Sequence, residues 1–280
     1  MIDRLFGGIR VRIHLLFWAV IGLSVATGYF LEVITLFVIV FIHELGHVAV
    51  ARELGWQVTQ IQLLPFGGVA HMEDEAAADP LDEIVVALAG PFMNITMAFL
   101  SLVCWKAGIW SEAWTNYFVT SNFLVAGFNL LPIWPLDGGR ILQAVLSCRL
   151  PYRTAALLSI GASILLAALL LGIGFLHFHL NAVAVGTYLL ALNVQAFIRF
   201  PYQFIRFLME KYVRALDEHP IRPVRLSPET TAWAAAQLMR KGSYHLFYIT
   251  GEKGGILSEK RLLQALLFEQ QQHAAIHRLL

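Results

Sequence analysis

Six long apolar runs constrain this chain more than any other feature. They cover residues 13–30, 33–51, 84–105, 117–136, 154–176 and 180–198. Each approaches or reaches the roughly 20 residues that cross a bilayer as a helix. Composition agrees: 58% of residues are hydrophobic and 14% charged, against about 45–50% and 25% in soluble domains. The pattern predicts an α-helical polytopic membrane protein of about six transmembrane helices, with the lipid bilayer as its main partner. The net charge of +1 and the absence of any long basic block give no support for nucleic-acid binding.

Lysine and arginine placement sets the expected orientation. Arg4, Arg10 and Arg12 precede the first run, Arg52 follows the second, and Arg140, Arg149 and Arg153 follow the fourth. Arg199, Arg206, Lys211 and Arg214 follow the sixth, whereas the opposite loops hold only Lys106. Both termini are therefore expected in the cytoplasm. The first run lacks an A-x-A-type cleavage site and precedes further apolar runs, so it reads as a retained span rather than a signal peptide. Cys104 and Cys148 fall near opposite membrane faces and read as free buried thiols.

From about Leu216 the apolar runs shorten and charges return. The division expected is a membrane domain, 1–215, and a small cytoplasmic α+β domain, 216–280. The tail reads as strand, helix, strand, turn, strand, helix. Its first helix is entered at Ser227-Pro228-Glu229 and its last is capped by Ser258.

The second run contains "HELGH", residues 43–47, and ionisable groups inside a span are costly enough that they usually mark function. Residues i and i+4 of an α-helix lie about 40° apart around its axis and about 6 Å along it. His43 and His47 can thus share one metal ion, while Glu44, about 100° round from His43, can reach a water at that metal without ligating. This is the H-E-x-x-H arrangement of two imidazole ligands and a general base. The competing reading makes the three residues polar groups that pack helices together. A catalytic zinc needs a third protein ligand, and "FNLLPIWPLDGGR", residues 128–140, offers Asp137. Pro132 and Pro135 interrupt the fourth helix there, which is tolerated at membrane depth where backbone lines a polar cavity. The plainer reading of Asp137-Gly138 is an interfacial turn. A membrane zinc carrier or metal-sensing receptor is the alternative function; Glu44 argues against it, because transport needs ligands rather than a base.

Together, HELGH and the N-x-x-P-x-x-x-L-D-G pattern at 129–138 resemble the site-2 protease family of intramembrane zinc metalloproteases, over residues 9–200. The single span before HELGH, the PFGG at 65–68, the absence of a PDZ-like insertion and the soluble tail resemble that family's sporulation branch. The resemblance implies one zinc per chain on His43, His47 and Asp137, with Glu44 as catalytic base. It also implies a membrane-associated protein substrate, such as the pro-form of a mother-cell sigma factor, cut near the cytoplasmic face of the membrane surrounding a forespore. Membrane-protein inhibitors or regulators are implied as partners. Residues 56–72 read as a re-entrant or interfacial hairpin whose edge, at Phe66 and Gly67, could pair with an extended substrate by strand addition; a plain cytoplasmic loop is the other reading. Asn129 and Pro135 are the remaining substrate-binding candidates, Asn129 equally suited to satisfying backbone freed by Pro132. Asn94 in "AGPFMN" reads as a helix–helix hydrogen bond. The tail resembles one CBS repeat, which implies a regulatory module that could bind ATP or another adenine nucleotide and form a homo-oligomer.

Overall fold

The computed structural model describes residues 2–6, 9–13, 21–22, 24–64, 67–72, 78–213, 220–251 and 254–280, with backbone alone for 2–13 and 59–72. The described chain falls into two compact units: residues 1–75, 82–132 and 136–140, and residues 76–81, 133–135 and 141–280.

The first unit is built on helix α1, Phe30–Glu53, whose apolar sequence carries HELGH. Its end is set by Gly55, which takes φ +80°. The Gly55 N–H donates to Arg52 O and the Trp56 N–H to Ala51 O, a Schellman closure that only a residue tolerant of left-handed backbone makes cheaply. The redirected chain enters β3, Val58–Leu64, which pairs antiparallel with β4, Gly67–Met72. The expected hairpin is therefore present. The sequence reading missed two further strands, β1, Ile2–Phe6, and β2, Ile9–Ile13, which extend the sheet in the order β1-β2-β3-β4, with β2 and β3 parallel. Ile9, Val11 and Ile13 alternate with Arg10 and Arg12, a period-2 signal that the basic residues disguised as the flank of a span.

Among the described residues, four helices are long and apolar enough to cross a membrane. They are α1; α2, Pro80–Lys106; α5, Tyr152–Leu176; and α6, Leu180–Val213. Of the first expected span, 13–30, residues 14–20 and 23 lie outside the described residues, residues 24–27 are helical, and Ile13 itself belongs to β2. The fourth, expected to run to residue 136, is instead α3, Glu112–Asn129, capped by Ser111 Oγ and ended seven residues early. Prolines at 132 and 135 cannot supply the N–H donors a continuing helix needs. Helix α4, Asp137–Arg149, starts immediately beyond them. Cys104 is half-buried and Cys148 exposed, so neither is the buried thiol expected, though both are free.

The second unit contains α5, α6 and the tail. The tail follows the expected order: β5, Ile221–Leu226; α7, Ala232–Ala236; β6, Tyr244–Ile249; β7, Gly255–Ser258; α8, Glu259–Leu267. Strand β6 is central, parallel to β5 and antiparallel to β7. Ser258 caps α8 as expected, accepting the Arg261 N–H. The cap of α7 is Thr231, four residues beyond the expected Ser227. Phe247, Met239, Leu262 and Leu263 are fully buried in one core with Phe204, Phe207 and Leu208 of α6 and Tyr152 of α5.

Inside this core Glu259 joins the tail to α6. Its carboxylate accepts from Lys211 Nζ at 3.0 Å, from His245 Nδ1–H at 2.6 Å and from the His245 backbone N–H at 2.8 Å. His245 Nε2 accepts the Arg240 N–H, so both ring nitrogens are satisfied by the neutral imidazole. Burial lowers the His245 pKa from its ordinary 6.5, with Glu259 pulling partly the other way. Burial alone would raise Glu259, but the His245 bond and the Lys211 charge hold it below the usual 4.5. Both groups bind protons less readily folded than unfolded. Their stabilisation is therefore complete above the ordinary histidine value and is lost as pH falls through it, with Glu259 adding to the loss at lower pH. Thermal unfolding of the purified protein followed from pH 8 to pH 5 should show a falling midpoint for this unit. The decline should flatten in His245→Gln, whose amide still donates to Glu259. A midpoint that rises on acidification would contradict this reading.

Candidate metal centre

Helix α1 places His43 and His47 on one face, one turn apart, with His43, Glu44 and His47 all buried. Each imidazole is oriented by its Nδ1. His43 Nδ1–H donates to Asn94 Oδ1 at 3.0 Å. The Asn94 amide is itself set by donating Nδ2–H to Asn122 O at 3.2 Å, which leaves its oxygen for the histidine. His47 Nδ1–H donates to Val86 O at 2.7 Å. Neither acceptor carries a proton, so the hydrogen of each ring sits on Nδ1 and the lone pair on Nε2. Such outer partners fix tautomer and ring direction in metal sites.

The two Nε2 atoms lie 3.2 Å apart, and Asp137 Oδ2 stands 3.1 Å from His43 Nε2 and 3.2 Å from His47 Nε2. Three electron-pair donors thus converge with no proton of their own to share. Zinc held at about 2.0–2.1 Å in tetrahedral geometry sets its ligand atoms about 3.3 Å apart. Donor chemistry and spacing both fit that ion, and these three residues could hold it.

The scaffold around them is made of small residues. Val86, Gly90 and Asn94 recur every fourth residue, one stripe on α2 that runs past His47 and His43. A Cβ at Gly90 would lie 2.3 Å from His47 Nε2 and 2.7 Å from His43 Cε1. At Gly46 it would lie 2.9 Å from Ala89 O, so α1 and α2 approach backbone to backbone there. At Gly138 it would meet Leu130 O at 2.1 Å, so the turn that delivers Asp137 also closes only on glycine. Asp137 stands in the first turn of α4, where a carboxylate interacts favourably with the helix dipole.

The structure thus brings His43, His47 and Asp137 together, with Glu44 adjacent on α1. Asn94 makes the interhelical bond expected of it, and its partner is His43, 51 residues away, a pairing that no local pattern signals. Gly90 and the Val86 carbonyl were missed altogether, although the four-residue spacing of Val86, Gly90 and Asn94 is visible in the sequence. Asn129 is half-buried at the end of α3 and donates to Val125 O within its own helix. Pro135 follows a cis peptide bond from Trp134. Gly67 opens β4, and Phe66 lies outside the described residues.

Comparisons with known proteins converge on one family. The description of peptidase family M50 matches residues 31–112 and 104–171. Stage IV sporulation protein FB of Bacillus subtilis is 29% identical over 97% of this chain and 96% of its own length. A zinc metalloprotease of Methanocaldococcus jannaschii is 30% identical, covering 85% of this chain and 71% of that protein. The solved site-2 protease from Methanocaldococcus jannaschii superposes with a TM-score of 0.57 at 30% identity, over 69% of this chain and 92% of that one.

The packing at Gly90 leads to a test. Gly90→Ala puts a methyl group where the imidazole edges stand, so the rings must turn away from each other. Zinc affinity of the purified variant should fall at least about tenfold, read by metal analysis after dialysis against a chelator. Zinc retention equal to wild type would show that this contact does not shape the site.

Proposed function

This chain belongs to peptidase family M50, the membrane zinc metalloproteases of site-2 type, and on that premise we propose that it cuts a membrane-associated protein at a centre formed by His43, His47, Asp137 and Glu44. The observation that carries the reading is the convergence of His43 Nε2, His47 Nε2 and Asp137 Oδ2 within 3.2 Å while both Nδ1 atoms are otherwise bonded. In this reading the three residues hold one zinc. When bound, zinc supplies Lewis-acid polarisation and makes water a competent nucleophile near neutral pH.

Glu44 is the general base. It is buried one residue along α1 from His43. It takes a proton from the attacking water and returns it to the leaving amide nitrogen as the peptide bond breaks. Asn94 and Val86 keep the two imidazoles directed throughout the cycle. The apolar faces of α1 and α2 keep the surroundings low in dielectric, which strengthens electrostatic stabilisation of developing charge.

A helical substrate hides its carbonyls, so it must unwind to be cut. Strand β4 is one of the two edge strands of its sheet among the described residues, which supports substrate binding by strand addition at Gly67 and Phe66. Asn129 and Pro135 complete the proposed substrate-contacting set. Six spans are read from the apolar runs, and the arginine distribution supports both termini in the cytoplasm. The likeness to the sporulation protein supports a pro-sigma factor as substrate, in the membrane around a forespore, under control of membrane-protein regulators. Residues 216–280 serve as a cytoplasmic, CBS-like regulatory module. An adenine nucleotide and self-association are its proposed modes of control.

Glu44→Gln separates a protease from a metal carrier. Glutamine preserves size and hydrogen bonding but accepts no proton from water at neutral pH. Co-expression with a tagged pro-sigma factor should show processing reduced about 100-fold or more, with zinc content and membrane insertion unchanged. Full processing by a zinc-loaded Glu44→Gln protein would remove Glu44 from the mechanism.

A further inference from the structure

Helix α6 runs from Leu180 to Val213, longer than the roughly 20 residues that carry a helix through hydrocarbon. A crossing that begins at Leu180 is complete near Arg199, and the rest of the helix extends about 20 Å further at 1.5 Å per residue. Pro201 stands at the same place. It has no N–H to offer the Phe197 carbonyl, and a carbonyl freed at the edge of the hydrocarbon, unlike one at its centre, is within reach of water.

Beyond that point the helix has two faces. Phe200, Phe204, Phe207 and Leu208 are buried in the core shared with the tail. About 150° round the axis, Tyr202, Ile205 and Met209 are exposed. They continue a row that starts within the crossing, Val194–Ile198–Tyr202–Ile205–Met209, at intervals of four, four, three and four residues. Ile198 is 70% and Tyr202 76% exposed among the described residues. The first two members of the row lie on the crossing itself and face lipid. The remaining three extend the same stripe without a break, and a continuous exposed apolar surface of this kind marks a contact rather than a solvated face.

Basic groups flank the stripe. Arg199 and Arg206, two turns apart on one side of it, are both exposed. Glu210 accepts from Arg206 Nε at 2.8 Å, which offsets one of the two charges and leaves that flank net positive. A phenol beside apolar side chains, with arginines along the edge, is the chemistry of a helix at the membrane–water boundary. We infer that residues 199–213, given that the first part of α6 crosses the bilayer, dock on an anionic lipid surface. Tyr202, Ile205 and Met209 enter the interface, and Arg199 and Arg206 face lipid phosphates. The opposite, phenylalanine-lined face carries the tail, which is thereby kept against the membrane by the helix on which its core is built.

The test uses full-length protein in nanodiscs of phosphatidylcholine with phosphatidylglycerol. With Cys104 and Cys148 replaced by serine, a single nitroxide-labelled cysteine is introduced as Val194→Cys, Tyr202→Cys, Ile205→Cys, Met209→Cys or Gln271→Cys. All five side chains are exposed, so none of these labels opens the core. Relaxation by oxygen, which concentrates in lipid, is compared with relaxation by a water-soluble nickel chelate. The four labels on α6 should favour oxygen, and Gln271→Cys in the tail should favour nickel. The oxygen preference at Met209→Cys should fall in discs of phosphatidylcholine alone, and also in the mixed discs when Arg199→Gln and Arg206→Gln are added. Nickel preference at Ile205→Cys and Met209→Cys, with oxygen still preferred at Val194→Cys, would leave the crossing in place and overturn the inference. Nickel preference at Val194→Cys as well would remove the crossing on which the inference rests. Labels at 205 and 209 reached by neither reagent would place protein on the stripe, a second copy of this chain included, and would equally overturn it. An oxygen preference indifferent to phosphatidylglycerol and to both arginines would overturn the role given to headgroup charge.

Discussion

Three lone pairs aimed at one point are an unstable arrangement unless a cation sits among them. His43 Nε2, His47 Nε2 and Asp137 Oδ2 converge in this way, and much of the first unit is organised to hold them there. Asn94 and Val86 occupy the opposite nitrogens, so neither ring can relieve the repulsion by moving its proton to the shared point. Gly90 and Gly46 let α2 come close enough to provide those acceptors. Gly138 lets the chain turn tightly enough to bring a carboxylate to them. A larger residue at any of these glycines would break the convergence before it affected the chemistry directly.

The bilayer adds a second constraint, because backbone groups at membrane depth must find partners within the protein. Ending α3 at Asn129 and restarting at Asp137 leaves a stretch of chain outside any helix, yet without that break no carboxylate would be delivered from this segment. The N–H and carbonyl of Trp134 are satisfied by Ser163 of α5 and Asn193 of α6, two buried polar side chains. Polar side chains in α2, α5 and α6 therefore repeatedly serve either the imidazoles or the interrupted backbone.

What was legible in the sequence follows from whether the signal was local. HELGH puts its two imidazoles on one helix face by spacing alone, and Asp137 stood out as a carboxylate beside two prolines and two glycines. The tail's element order was readable because short β-rich runs and a serine cap bounded it. The entry of α7 was misread because Ser227-Pro228 and Thr231 both offer helix-start chemistry, and tertiary packing selects the second. Strands β1 and β2 escaped notice because arginines in their alternation also resemble the flank of a span. The Val86–Gly90–Asn94 stripe has a period but no chemistry until histidines stand beside it. The Ser163 and Asn193 contacts are 29 and 59 residues from Trp134 in sequence, and no local pattern encodes a pairing of that range.

The central claim is that one zinc is held by two imidazole nitrogens and one carboxylate oxygen. Zinc K-edge X-ray absorption on the purified, detergent-solubilised protein measures that shell directly. The account predicts nitrogen and oxygen scatterers alone at about 2.0–2.1 Å, the outer-shell signature of two imidazoles, and loss of one light scatterer or of the metal in Asp137→Ala. A sulfur shell near 2.3 Å, or a shell that Asp137→Ala leaves unchanged, would contradict it.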